Sequence, residues 1–244
     1  MANHTTDTSL SKTARITGFM FLFTFMGPLF YGAYVFPKLT APGNVIATAH
    51  NILVNALLFR IGIVNELICS IGALVFALVL YILLKPINND LGLLALFLKI
   101  AEAILLAVIA LGHFIALLIL NEGATLTVFA PGQVQALVGL FINLYFYAGA
   151  FTMVFHGLSS MVFLYLLFKS KYVPRILSGF GILSYALIFI FALMAILAPH
   201  YITLLTIQVI FLAPSILSEL TTGLWLLIKG VNVEQWKMVE SKQV

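Results

Sequence analysis

Three side chains in this sequence sit where ionisable groups are rare. Glu102, His156 and Glu219 each lie inside a long apolar run. A carboxylate or imidazole in such a place can hold a proton, accept from a donor or ligate a cation. Keeping a charge at mid-bilayer costs at least about 2.5–3.5 kcal/mol, so these groups face the bundle interior and find partners. Lys99 stands three residues before Glu102, the i,i+3 spacing that allows an ion pair on one helix face.

Depth follows from a helical rise of about 1.5 Å per residue. Glu219 lies ten residues before Lys229, about 15 Å into the membrane. His156 lies thirteen before Lys169, about 20 Å in. Glu102 lies twelve after Asp90, read as a helix cap, and so about 18 Å in. All three fall near the middle of a hydrocarbon core about 30 Å thick. Pro214 leaves a carbonyl unpaired near Ile210, which bends the last apolar run close to Glu219.

Several chemistries fit this set. Lys99 can neutralise Glu102 while Glu219 is protonated or bonded to His156, fixing helix rotation and nothing more. Lys99, Glu102, His156 and Glu219 can instead form a pocket for a small molecule, a lipid or an ion, with Glu219 and His156 as ligands or proton acceptors. A catalytic metal is disfavoured, because no second histidine and no His-x₃-His pattern accompanies them. Ser159 and Ser160 beside His156 are the nucleophiles an intramembrane lipid-modifying enzyme would need, on weak evidence, because triads are spatial.

A second polar group, Arg60, Asn65, Glu66 and Asn143, is expected at the outer ends of the second and fourth apolar runs. Tyr145 and Tyr147 stand at similar height. His113, about 35 Å from Asp90, is expected near the outer surface, with His50 and His200 external. Haem held between His113 and His156 is disfavoured by a depth difference of about 15 Å. Interface polarity is the plain reading of this outer group. No P-loop, H-E-x-x-H, C-x-x-C or G-x-S-x-G is present. No cofactor and no metal site is read.

The elements that must position these groups are set by composition. Of 244 residues, 63% are hydrophobic and 8% charged, too few charges to cover a water-soluble surface. The net charge of +4 is spread between apolar runs, so nucleic acid is not a partner. Cys69 is the only cysteine, which excludes a disulfide scaffold. Six runs are long enough to cross a bilayer as helices: about 16–36, 61–84, 91–120, 136–168, 176–197 and 202–228. The expected fold is an all-α, polytopic transmembrane helical bundle. Residues 14–230 form its membrane domain, between polar tails at 1–13 and 231–244. No cleavable signal peptide is read.

Positive charges orient it. Lys12, Arg15, Lys85, Lys169, Lys171, Arg175, Lys229, Lys237 and Lys242 fall on one side, and only Lys38 and Arg60 on the other. Both termini are therefore expected in the cytoplasm. Tyr81, Tyr165 and Trp225 each precede a lysine by four residues at the cytoplasmic ends of alternate spans, as anchors at a membrane boundary or as the trace of three repeated hairpins. The loop 121–135 carries no Lys or Arg, and Pro131-Gly132 reads as a turn. Between the first two spans, Asn44, Thr48, Asn51 and Asn55 form a polar stripe at helical spacing. A straight helix from there through the second span would be about 60 Å long, so a bend near Phe59 and an outer interfacial helix are expected.

Several short pieces read together. They are Ala14-Arg15-Ile16-Thr17-Gly18, Leu58-Phe59-Arg60-Ile61-Gly62-Ile63 and Leu84-Lys85-Pro86-Ile87-Asn88. They continue with Tyr172-Val173-Pro174-Arg175-Ile176-Leu177, Glu219-Leu220 and Leu224-Trp225-Leu226-Leu227-Ile228-Lys229-Gly230-Val231. In this order and spacing they resemble the largely bacterial membrane family numbered 4386 among the domains of unknown function, over roughly 13–232. The resemblance implies a multi-span integral membrane protein of the bacterial inner membrane, and no activity or active-site motif. The expected partners are the lipid bilayer, a small-molecule or lipid ligand, and a membrane-protein partner. Binding or transport at the central pocket is the leading functional reading. A structural or regulatory subunit without ligand is the alternative.

Overall fold

The computed structural model describes residues 2–122 and 131–241. Among them there is no strand. Six helices are long and apolar enough to span a membrane: Lys12–Leu39, Ala56–Leu84, Asn89–Glu122, Gly132–Ser170, Arg175–Leu197 and Leu205–Ile228. A helix satisfies every backbone donor and acceptor within its own segment, which is what hydrocarbon demands. The protein is an all-α, multi-pass membrane bundle.

Helix α1 (Ala2–Phe30) includes most of the segment expected as a polar tail. Pro28 interrupts its ladder, and a π-helical turn, Tyr31–Val35, follows within one turn. Proline removes a donor and π-turns absorb an extra residue, so the backbone is rewound at this point. Helix α2 (Phe36–Leu39) completes the first span.

Helix α3 (Val45–Val54) starts at Asn44, whose Oδ1 accepts the Ala47 N–H. It stops at Asn55, whose backbone is non-helical at φ −112° and ψ 38°. The break therefore precedes the expected bend at Phe59 by one turn, and α4 (Ala56–Leu84) takes Phe59 inside it. Thr48, Ala49 and Ile52 are buried, while Ile46, Leu53 and Val54 are exposed. Part of the polar stripe is structural: Thr48 Oγ1 accepts the Ala41 N–H at 2.9 Å and ties the preceding turn to the helix.

Helix α5 (Asn89–Glu122) is capped by Asn88, whose Oδ1 accepts the Leu91 N–H, and not by Asp90. Helix α6 (Pro131–Ser170) includes Pro131-Gly132, so that pair opens a helix and is not a turn. Proline at a first helical position loses no bond, because that N–H has no partner in any helix. The rest of the expected cation-free loop, 123–130, lies outside the described residues. At 40 residues α6 is about 60 Å long and overreaches the hydrocarbon core. Helices α7 (Arg175–Leu197) and α8 (Leu205–Ile228) follow. Ile202 falls in a short 3₁₀ turn before α8. Pro214 lies within a continuous α8. A short helix, α9 (Val233–Glu240), occupies most of the second expected tail, and its Trp236 ring packs on Tyr172.

The six spans are arranged as a closed ring. Each of α4 to α7 packs on the next, and α1 packs on both α4 and α8. Two apolar cores fill it. One joins Leu80, Leu84, Leu164, Leu167, Tyr172 and Leu226 at the basic end. The other joins Tyr31, Ile52, Phe59, Leu117 and Ile142 at the opposite end.

Candidate functional site

The four expected pocket residues come together. Lys99 and Glu102 are one turn apart on α5, and Lys99 Nζ is 2.7 Å from Glu102 Oε2 and 3.0 Å from Oε1. His156 of α6 reaches across: its Nδ1 lies 2.9 Å from Glu102 Oε1 and 2.9 Å from Lys99 Nζ. The other ring nitrogen, Nε2, is 3.6 Å from Glu219 Oε1 on α8, too far for a direct hydrogen bond. Tyr185 of α7 donates its hydroxyl proton to the same Glu219 oxygen at 2.5 Å. The His156 and Tyr185 rings meet edge to face, with centroids 5.2 Å apart.

Local sequence explains the approach. Gly157 follows His156, and a Cβ there would lie 3.1 Å from the Tyr185 carbonyl oxygen and the Phe189 nitrogen. A Cβ there would force the facing backbone to give by a few tenths of an ångström, so glycine suits the close approach of α6 and α7. Exposure divides the cluster. The Lys99 and Glu102 side chains are 2% and 6% exposed, whereas His156 and Glu219 are 28% and 14% exposed. One end is a sealed ion pair, and the other is accessible.

Charge counting shows what the cluster can do. One lysine and two carboxylates sum to −1 when His156 is neutral. A single proton, or the cationic group of a ligand, brings the cluster to neutrality. In a medium where net charge is costly, that deficit is a binding preference.

The outer group is organised differently from its expectation. Glu66 of α4 pairs with His113 of α5, with His113 Nδ1 at 2.9 Å from Glu66 Oε2. His113 is enclosed within the bundle, its side chain 0% exposed, and α5 continues beyond it to Glu122. His113 Nε2 lies 3.3 Å from the Ile142 carbonyl, to which it can only donate. Nδ1 and Glu66 then share one proton between them, and the pair is neutral overall whichever holds it. The Tyr31 hydroxyl is 3.3 Å from Nδ1, and the Tyr31 and Tyr145 rings lie against the imidazole.

Asn65 points elsewhere, donating through Nδ2 to the Gly27 carbonyl at 3.0 Å. That carbonyl belongs to the stretch disturbed by Pro28. Arg60 is exposed on α4 and takes no part in the pair. Asn143 is also exposed and lines a separate depression of about 210 Å³ with Asn44, Thr48 and Gly139. The four residues expected as one outer cluster are therefore at four places. Spacing along the helices could not reveal this, because it does not fix rotation between helices.

Tyr31 and Tyr185 were in neither expected set, and His113 and Tyr145 were placed only by height. A signal for two of them exists. Glu102 and His113 are eleven residues apart on α5, and Tyr145 and His156 are eleven apart on α6. Eleven residues are about three turns, so each pair shares one face. Ser159 makes no contact with the imidazole of His156. Its hydroxyl donates to the His156 backbone carbonyl at 3.1 Å.

The family described as domain of unknown function DUF4386 matches residues 16–230. The chain belongs to the DUF4386 family. The match takes in both polar clusters of this DUF4386 protein and reaches into all six spans. No curated protein and no solved structure matches the chain.

Proposed function

We propose that this DUF4386 protein binds a small molecule at the His156–Glu219 end of the central cluster and carries it across the membrane. The observation behind this reading is the uneven exposure of one connected network. Its Lys99–Glu102 half is closed and its His156–Glu219 half is open, with an unbalanced negative charge when His156 is neutral. A proton or the cationic group of a solute or lipid is the complement. Three spans contribute the four residues, so a relative movement of α5, α6 and α8 would alter the site. By the distribution of Lys and Arg, both termini face the cytoplasm.

The test is native mass spectrometry of protein released gently from its own membrane, with a second assay in vesicles loaded with a pH-sensitive dye. A bound mass present in the natural protein and absent from Glu219→Gln, together with a proton leak that the same change abolishes, is the expected result. An apo mass and a silent vesicle in both proteins would overturn the reading and leave a structural subunit, whose partners would then be sought in the native membrane.

A further inference from the structure

A second cavity, of about 470 Å³, lies at the opposite chemical extreme from the central site. It opens at the basic end of the bundle, where α6 ends, α7 begins and α8 ends. Its wall includes Lys171, Tyr172, Arg175, Trp225, Lys229 and Asn232. Three cations and no carboxylate line it. None of these cations is ion-paired among the described residues. Two of the sequence pieces that mark the family, 172–177 and 224–231, converge on it, and the central site uses only Glu219 from the stretch before the second.

The cavity is held in shape. The Asn232 N–H donates to the Tyr172 carbonyl at 2.9 Å, tying the α8 exit to the α6–α7 turn. The Tyr172 N–H donates to Ser170 Oγ at 3.2 Å. Gly230 takes φ 73°, the left-handed backbone that ends a helix and that glycine adopts without cost. Lys171 takes φ 57° although it is not glycine. A lysine in that region is strained, and such strain recurs at ligand clamps. The first turn of α7 opens here with no side chain capping it, so its backbone N–H groups add to the positive field. Trp225 gives the wall an apolar side, and Ile176 and Ile228 are exposed beside it.

We propose that this cavity binds a phosphate-bearing anion, of which the headgroup of an anionic phospholipid is the source favoured by its position. Unpaired cations at a membrane boundary recognise phosphate. Arg175 offers a planar fork that can take two phosphate oxygens, while Lys171 and Lys229 act as point charges. The tryptophan and exposed isoleucines suit the part of a lipid below its headgroup. This inference does not depend on the central site.

The experiment uses the full chain in mixed micelles with phosphatidylglycerol and phosphatidylcholine at equal concentration, read by native mass spectrometry. The natural protein is expected to retain phosphatidylglycerol in preference. The Arg175→Gln, Lys229→Gln double variant is expected to lose about fivefold in retention for each cation removed. The Lys12→Gln, Lys85→Gln control, which removes two cations from the same end outside the cavity, is expected to retain the lipid. Added inorganic phosphate then separates the sources. Displacement of the lipid by millimolar phosphate assigns a soluble phosphate compound, and its failure to displace assigns the headgroup. Equal retention of the two lipids, or equal loss in the control, would overturn the site. Lys229 is exposed at a helix end, so Lys229→Gln alone carries the test if the double variant does not fold.

Discussion

The two clusters inside the ring use the same chemistry to opposite ends. Glu66–His113 and Glu102–His156 are both carboxylate–imidazole contacts of 2.9 Å between neighbouring spans. In the Glu66–His113 pair the Tyr31 and Tyr145 rings lie against the imidazole, His113 is fully enclosed, and one proton makes the pair neutral. Around Glu102 there are a lysine and, past the histidine, a second carboxylate that is partly open. The first arrangement is closed in charge and in space, so it can set the rotation of α4 and α5 and do little else. The second is closed at one end only. A buried ionisable pair is therefore not a functional signal by itself. Imbalance and access make it one.

Four changes would break or sharpen that contrast. The largest effect is expected from Lys99→Met, which leaves Glu102 enclosed without its main donor. Breaking a buried ion pair from one side costs about 3–5 kcal/mol, read as a loss of unfolding free energy in detergent. The double change Lys99→Met, Glu102→Leu should recover most of that loss, since it removes both charges. A loss below about 1 kcal/mol for the single change would mean that the inner pair is hydrated and the ring more open than drawn here.

Next in size is His113→Phe. The aromatic wall tolerates the ring, but Glu66 keeps no partner for Oε2, at a cost of about 1–3 kcal/mol in the same measurement. Tyr185→Phe should cost less, about 0.5–1.5 kcal/mol, for one hydrogen bond to Glu219. It should also loosen any mass bound at the open end, which a melting curve with and without that ligand would reveal.

Glu219→Gln is expected to change stability least, by about 0.5 kcal/mol or less, because the amide oxygen still accepts from Tyr185 and the side chain is partly exposed. Its effect belongs in binding and flux. If Glu219→Gln destabilised the bundle more than His113→Phe, the open cluster would be the structural one and the contrast would be reversed.

Much of the central cluster was legible along the chain. Lys99 and Glu102 are an i,i+3 pair, and that spacing alone puts both on one helix face. Counting residues from the boundary lysines placed His156 and Glu219 at similar depth. Axial position is additive along a helix, so those counts are robust. For His113, counting gave a height but not its burial, because axial position says nothing about what covers a side chain. The outer group of Arg60, Asn65, Glu66 and Asn143 failed for a different reason. Neighbours in height need not be neighbours in angle.

By itself the sequence determined the six spans, the all-helical class and the heights of the ionisable groups, because long apolar runs without alternation satisfy their backbone in hydrocarbon as helices and not as barrel strands. Tertiary structure decided the rest. It closed α1 onto α8, turned Glu66 toward His113 and away from Arg60, and supplied Tyr185 to Glu219. It also folded two distant basic segments around one cavity. Each of these depends on helix rotation and on close backbone approach between helices. Those are set by the packing of small against large side chains across the whole ring, and no single stretch of chain contains that information.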